Sequence, residues 1–448
     1  MLLSFAYILS QLFHFQMPVQ LFISGKNWKL SLSELVSYWE AREMKFEIQF
    51  FSKEFFVLRV EEGFSVSNIK ELGGTIKIGQ MKAKFPTLTV KEAFLQKSKQ
   101  AESQIAKSLA SSKLIDEMAK STERVFFGVS VYCSERSLRH LSWIIQRFVG
   151  SSVKGELASI GKRSRFMGFS KDRNIAQLSH VEVIKKHLVE NKAEVLFCIG
   201  KDETWIATTT AVHNPFEFQK RDVYKPIQRK IFAIPPRLAR IMLNLSSCSP
   251  GKVLLDPFCG VGTILLEALL LKAKVIGLDV NPWCVKAANE NLEWLKREYG
   301  LEDADYRVLQ GDVRRLPEKI GQEAVDCIVT EPDLGPALRQ VPTGPYALKI
   351  IQKLEPLYFG FVEQAHRVLK KRGRLVVVTP YIVTRSGQSV TMPIGEKLEN
   401  CGFNRLQPFS KEMFSESAPR FEELIGVSSL VEIDEHHKVG REIHIYEK

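Results

Sequence analysis

Asp256-Pro-Phe-Cys-Gly-Val-Gly-Thr263 lies between two apolar runs, Lys252-Val-Leu-Leu255 on one side and Ile264-Leu-Leu-Glu-Ala-Leu-Leu-Leu271 on the other. Short apolar runs joined by a glycine-rich turn read as a buried strand followed by a helix. Gly260 and Gly262 let the backbone bend sharply and approach a ligand closely, and the first N–H groups of the helix have no partner within it. The turn is a candidate cradle for a small molecule. A tight connection without a ligand needs the same glycines.

The residues that follow favour the ligand. Lys274-Val-Ile-Gly-Leu278 reads as a second strand ending in Asp279, about twenty residues on, where such folds hold a ribose diol through an acid. Asn281 and Pro282 open a helix to about Arg297. A third strand, Tyr306-Arg-Val-Leu-Gln310, ends in Gly311-Asp312, and a fourth, Val325-Asp-Cys-Ile-Val-Thr330, ends in Glu331-Pro-Asp-Leu-Gly-Pro336. Arg374-Leu-Val-Val-Val-Thr379 is the fifth, reached through a mainly helical stretch from Tyr346 to Leu369. Strands alternating with helices predict a parallel α/β sheet, and open sheets of this kind bind ligands at the carboxyl ends of their strands. An α/β core without a cofactor would leave these polar strand ends unexplained.

The turn is G-x-G-T and lacks the third glycine of a dinucleotide site. With its surroundings it resembles the S-adenosylmethionine site of class I methyltransferases. That resemblance implies S-adenosylmethionine as cofactor, bound by Asp256, Pro257, Phe258, Gly260, Gly262 and Thr263 as motif I, Asp279 as the ribose acid and Asp312 at the adenine edge.

The 448 residues are enough for several domains. The net charge of +12 is uneven: +4 over residues 1–110, +8 over 111–230 and zero over 231–448. A basic module beside a neutral catalytic one suggests a polyanionic substrate held by the first and modified by the second, although charge runs are often only solvated faces. The 7 cysteines are odd in number and form no C-x-x-C pair. They read as reduced core residues of a cytoplasmic protein with no structural metal. His436-His437 reads as part of a solvated loop.

Residues 1–16 are apolar but lack a basic start and a small-residue cleavage site, and are too short to span a bilayer. Residues 1–17 are therefore expected to be a spurious extension ahead of Met17, the other reading being an extra helix or strand on the first domain. Val19-Gln-Leu-Phe-Ile23 is a strand. Ser31-Leu-Ser-Glu34 has capping-box spacing and is expected to open a helix through about Glu43. Strands near Phe46–Phe50, Phe55–Val60 and Thr75–Ile78, with a short helix from Ser67, complete a ferredoxin-like order. Helical sequence from Val90 to Lys120 leads to a second unit. There, Val125–Tyr132 reads as a strand, Glu135–Val149 as a helix, and Glu194–Ile199 with Thr204–Thr209 as a hairpin turning at Gly200-Lys-Asp202.

Leu178-Ser179, that hairpin, Arg221-Asp-Val-Tyr-Lys-Pro226, Pro235-Pro-Arg-Leu-Ala-Arg-Ile-Met-Leu-Asn-Leu245 and Val439-Gly-Arg-Glu-Ile-His-Ile445 together resemble the tRNA guanosine-N2 methyltransferases acting on nucleotide 10. The resemblance covers residues 18–448. It implies an N-terminal ferredoxin-like domain (18–110), a THUMP RNA-binding domain (111–215), a linker (216–232) and a class I Rossmann-like methyltransferase domain (233–448). It also implies tRNA as partner, gripped at its acceptor end, and a small activating protein partner as in the eukaryotic relatives. Lys162, Arg163 and Arg165, with Arg221, Lys225 and Arg229 of the linker, are the candidate phosphate contacts.

In that family a D/N-P-P-Y/F motif after the fourth strand orients the target amine and stacks the base. Here it is Glu331, Pro332, Asp333, Leu334. Glu331 and the Pro332 carbonyl keep their capacity to accept amine hydrogens. The aromatic is missing, and stacking on such a ring is worth roughly 1–3 kcal/mol. Tyr346 is the candidate replacement. Three readings follow: an active guanine-N2 tRNA methyltransferase, a methyltransferase of a different RNA nucleotide, or an RNA-binding protein whose methyltransferase fold no longer transfers.

Overall fold

The computed structural model describes residues 17–61, 64–120, 124–167, 175–229, 233–416, 418, 421–433 and 438–448. The expectations for residues 1–16 and for His436-His437 lie outside these. Eight strands come first: β1 (Val19–Ser24), β2 (Phe46–Phe51), β3 (Phe55–Val60), β4 (Thr75–Pro86), β5 (Arg124–Cys133), β6 (Arg163–Phe166), β7 (Glu194–Ile199) and β8 (Glu203–Val212). They form one sheet in the order β2-β3-β1-β4-β8-β7-β5-β6. The first four take the ferredoxin-like arrangement. The two expected N-terminal units share this sheet through an antiparallel β4–β8 ladder running from Lys77↔Val212 to Pro86↔Glu203.

Alternation explains why these segments are strands. In β3, Phe56 and Leu58 pack with Trp39, while Phe55 and Val57 face the opposite side with Trp205, the period of a sheet covered on both faces. Across the ladder, Lys77 is buried and pairs with Glu194, whose other oxygen accepts from Thr209 at 2.7 Å.

Two local expectations are corrected. The first helix runs Trp28–Glu40 and is capped by the Asn27 side chain, not by Ser31. Glu34 instead accepts from the Gly73 and Gly74 N–H groups at 2.7 Å each and from Asn244 Nδ2 at 2.8 Å. The helix expected from Glu135 begins at Ser142 and runs to Ser159, because Glu135 turns back to accept from the Ser137 N–H and hydroxyl.

The second sheet contains β9 (Val253–Asp256), β10 (Lys274–Asp279), β11 (Tyr306–Gln310), β12 (Val325–Thr330), β13 (Leu369–Val383), β14 (Ser389–Thr391), β15 (Asn404–Arg405), β16 (Leu430–Glu432) and β17 (Val439–Glu447). Its main order is β11-β10-β9-β12-β13-β17-β15, with β9 to β13 parallel and β17 antiparallel to β13. The chain moves outward from β9 to β11 and then crosses back to β12. The switch point of this class I Rossmann-like sheet therefore lies between β9 and β12, where a crevice opens at the strand ends.

The lobes are tied together. Phe409, Phe414 and Leu424 of the C-terminal region pack into the core under β1–β3, and Asn27 Nδ2 donates to the Val431 carbonyl at 2.8 Å. Between the lobes run the linker helix (Pro215–Val223) and the approach helix (Pro236–Leu245), followed after β9 by the glycine-turn helix (Thr263–Leu270). Glu267 of the last is fully buried and accepts from Arg221 Nε at 2.5 Å and from Arg240 Nη2 at 2.6 Å. Burial alone would raise the Glu267 carboxyl; the guanidiniums of Arg240 and Arg221 outweigh it and hold the group below its usual value.

Removing the charge of Glu267 leaves the buried Arg240 guanidinium without its acid and Arg221 with only the half-exposed Glu217 at 3.7 Å, and breaking a buried pair in this way costs about 3–5 kcal/mol. Glu267→Gln is expected to lower the unfolding free energy, measured by denaturant titration, by that order. A loss within the roughly 0–1 kcal/mol typical of surface pairs would show that the triad is not holding the lobes.

Candidate active site

The glycine turn is fixed from both sides before any ligand arrives. Gly260 and Gly262 have φ of +52° and +86°, the region where a side chain is strained. A Cβ at Gly260 would meet nothing nearer than Arg229 Nη1 at 3.9 Å, so this face of the turn opens onto a cleft. At Gly262 a Cβ would press on Ala288 at 3.2 Å. Asn291, on the helix Pro282–Tyr299, donates to the Val261 and Ile227 carbonyls at 2.9 and 2.8 Å and accepts from the Ile227 N–H, which staples the linker to the turn.

Four acids face this edge. Asp256 ends β9, is buried, and accepts from the Thr330 hydroxyl at 2.7 Å and from the Phe258 N–H at 3.2 Å, so the ends of β9 and β12 are bonded across the switch point. Asp279 ends β10 and accepts from the Gly260 and Asn281 N–H groups at 2.9 Å each. Asp312 follows β11 and is paired with Arg314, which holds its carboxyl down to about 2. Glu331 follows β12 and lines the cleft with Asp256, Phe258, Gly260, Thr263 and Arg229.

Glu331 is not free in the cleft. Arg441 of β17 donates to it twice, Nε to Oε2 at 2.5 Å and Nη2 to Oε1 at 3.3 Å, and also reaches Glu432 Oε2 at 3.4 Å. Burial raises the Glu331 carboxyl and Arg441 pulls it part of the way back. Arg441 was not among the residues expected to matter, although a signal was present. Strand alternation puts it on the same face as Ile443 and Ile445, both buried, and a cation on a buried face needs an acid.

The residues that follow Glu331 in its motif diverge. Pro332 is buried, and Leu334 packs in the core of the second lobe. Asp333 is exposed and accepts from the Gly335 N–H at 2.9 Å, while its carbonyl accepts from Tyr358 at 3.0 Å. Tyr346 is half exposed in the first turn of the helix Gly344–Val368 and is not among the cleft residues. The aromatic ring lining the cleft is Phe258, braced edge-on by Phe361 at 5.4 Å.

The linker cations are reassigned. Arg221 is buried against Glu267, and Lys225 is buried with its Nζ 3.2 Å from Thr263 Oγ1, so neither presents charge to RNA. Arg229 is exposed but stands at the mouth of the cleft. Arg163 and Arg165 lie on β6, the edge strand of the first sheet. Arg165 lines a cavity of about 890 Å³ with Arg124, Phe126, Lys185 and Lys186, and Lys162 and Arg163 line an adjacent hollow. Although this cavity is much the larger, the strand-end acids Asp256 and Glu331 line the narrow cleft, which makes that cleft the candidate for chemistry.

Burial pushes Asp256 from 3.8 to about 7, with Asp279 and Glu331 adding to the rise. A raised carboxyl binds its proton more tightly folded than unfolded, so its contribution is complete below the unfolded value and is lost as pH rises through about 7. The ligand-free protein is expected to lose stability as pH rises through that window, and Asp256→Asn to flatten the dependence in melting curves. An unchanged slope would show that Asp256 stays ionised when buried.

Residues 226–383 match the RMKL-like methyltransferase-domain family, and residues 44–290 match a DNA methylase family model. The tRNA (guanine(10)-N2)-dimethyltransferase of Methanothermobacter thermautotrophicus is 37% identical over 162 residues, 35% of this chain and 42% of that protein. The tRNA (guanine(6)-N2)-methyltransferase of Thermus thermophilus is 32% identical over 151 residues, 33% of this chain and 39% of that protein. The aligned stretches thus span about two fifths of these curated relatives. TrmN from Thermus thermophilus, a solved structure, superposes with a TM-score of 0.52 at 17% identity over 96% of this chain and 99% of its own, a likeness of fold. The cofactor is S-adenosylmethionine, and the residues present fit it: an open glycine turn, Asp279 with lone pairs to spare, and an acid-rich edge suited to a cation. Among the described residues no helix is long and apolar enough to cross a membrane. The DNA methylase family model covers more than half of the chain, which therefore belongs to the S-adenosylmethionine-dependent methyltransferases, with an RMKL-like methyltransferase-domain match over residues 226–383.

Proposed function

We propose that this chain methylates the exocyclic N2 of guanine in tRNA, with nucleotide 10 as the target. The observation that carries this reading is the Glu331 carboxyl at the end of β12, facing the glycine turn and Asp256 across the switch point. Guanine offers two adjacent N–H donors, N1 and the exocyclic amine, whereas adenine sets its amine beside an acceptor; a carboxylate suits the first. The names of the relatives support the same chemistry, and the one acting at nucleotide 6 makes the position the finer part of the proposal.

When bound, S-adenosylmethionine supplies a methyl group on a sulfonium. The chain's part is placement: Glu331 accepts an amine N–H and turns the nitrogen lone pair toward the cleft, and the Pro332 carbonyl is the second acceptor. The amine proton leaves after transfer, so Glu331 needs to accept a hydrogen bond, not to remove a proton first. Phe258 is the candidate ring for the base, in place of the aromatic missing at Leu334.

The first lobe, divided at 18–110 and 111–215 with a linker to 232, is proposed to hold the RNA through Lys162, Arg163 and Arg165. A second reading, RNA binding without transfer, is favoured by one observation: Arg441 engages both Glu331 oxygens.

Nucleoside mass spectrometry of an unmodified tRNA transcript incubated with the protein and S-adenosylmethionine is expected to show N2-methylguanosine. It should be lost in a transcript lacking guanine at nucleotide 10 and reduced about a hundredfold in Glu331→Gln, the scale of a misplaced reactant. Methylation elsewhere moves the target. No methylated nucleoside on any RNA, with or without a cell extract supplying an activating partner, favours the second reading. Arg163→Glu with Arg165→Glu is expected to weaken tRNA binding and to shallow its salt dependence by about one unit of slope per lost phosphate contact. An unchanged slope would remove these residues from the interface.

A further inference from the structure

Glu331 is one methylene longer than the acid usual at this place, and in the structure its extra reach is taken up by a single residue. Arg441 comes from the last strand, 110 residues later in the chain. Its guanidinium is buried, is bonded to both Glu331 oxygens, and uses its remaining nitrogen on Glu432. A guanidinium is planar and rigid, so two bonds to one carboxylate and a third to another fix the plane in which the first carboxylate lies. Each Glu331 oxygen keeps a second lone pair, directed away from Arg441. Glu432 belongs to β16, whose Val431 carbonyl is held by Asn27 of the first lobe, so the far end of the clamp is itself anchored.

We propose that Arg441 is a positioning residue for methyl transfer: clamped by Glu432, it orients Glu331 and keeps it ionised so that the outer lone pairs of the carboxylate can accept the target amine. The proposal rests on the guanine-N2 reading above. Arg441 touches neither cofactor nor base and acts only through Glu331.

The groups facing Glu331 make ionisation the point at issue. Arg441 on β17 and Arg229 in the linker favour the charged form; Glu432 on β16 and Asp256 on β9 are acids that oppose it. Tyr358, on the helix Gly344–Val368, also lies beside it, its phenol pushed up by burial and by Glu331. Burial raises the Glu331 carboxyl, with Arg441 the largest opposing influence. Without Arg441 the group would hold its proton to higher pH, and a protonated carboxyl presents a donor where the amine needs an acceptor.

The test compares wild type with Arg441→Gln, Arg441→Lys, Glu432→Gln and Glu331→Gln. For Arg441→Gln, kcat at neutral pH is expected to fall about a hundredfold, while cofactor affinity by calorimetry stays within about threefold. The acid limb of the rate profile should move up by about one pH unit or more, restoring part of the rate in alkaline buffer. Arg441→Lys should keep Glu331 ionised but orient it less well, lowering kcat with little movement of that limb. Glu432→Gln should lower kcat by a smaller factor.

A readout that needs no turnover accompanies these. The protonated-carboxyl band in pH-difference infrared spectra, assigned by its loss in Arg441→Gln with Glu331→Gln, should persist to higher pH in Arg441→Gln than in wild type. The proposal is overturned if Arg441→Gln leaves both rate profile and band where wild type has them. It is equally overturned if cofactor binding and melting temperature collapse in both Arg441 variants, which would make the residue a fold element only. If wild type methylates no guanine, the parent reading fails on that arm alone, and the infrared shift still decides whether Arg441 governs the ionisation of Glu331.

Discussion

Two guanidiniums around one buried carboxylate hold this molecule in register. Glu267 projects from the helix that begins at the glycine turn, Arg221 from the linker, and Arg240 from the approach helix, which also reaches the Lys70 carbonyl of the first lobe. None of the three could be buried alone at tolerable cost, so each requires the others in place. The turn that cradles the cofactor is consequently set by the same contacts that set the lobe carrying the basic surface. Asn291 repeats the arrangement with neutral groups, joining linker and turn through three hydrogen bonds.

That rigidity frames a cleft whose electrostatics are unusual for a protein of positive net charge. Asp256, Asp279 and Glu331 converge on one sheet edge, while the excess of basic residues lies in the first 230 residues. Asp256 is pushed up by burial and by the other two acids. Asp256 and Glu331 line the cleft itself, so its floor carries two acids suited to a cation. The basic side chains of β6 lie on the other lobe, away from that acidic edge.

Much of this was legible in the residues. Glycine turn, strand-end acids and alternating patterns gave the parallel sheet and its order of elements, because each is a local signal. The ferredoxin-like order was readable for the same reason. Long-range pairing was not. Arg221 and Lys225 counted toward the basic charge of the middle segment, yet charge counting cannot see that one meets Glu267 and the other sits against Thr263. Ser31 and Glu34 have the spacing of a capping box, but Asn27 caps the helix four residues earlier and leaves Glu34 to bind two glycine N–H groups. Arg441 lay within a recognised closing segment, but its partner Glu331 is set by the sheet's crossover and not by sequence spacing.

The ladder between β4 and β8 has a consequence for how the chain can be divided. β8 lies between β4 and β7, so the two units of the first lobe meet along a shared run of backbone hydrogen bonds and not across a surface of side chains. A fragment ending near residue 110 would expose one long unpaired edge, and the complementary fragment would expose its mate; both are templates for self-association. Natural insertions and experimental truncations should therefore be tolerated at the linker after Val223 far better than between the two units. Because Phe409, Phe414 and Leu424 return to complete the core under β1–β3, the unit that stands together is the entire eight-stranded sheet with that C-terminal segment.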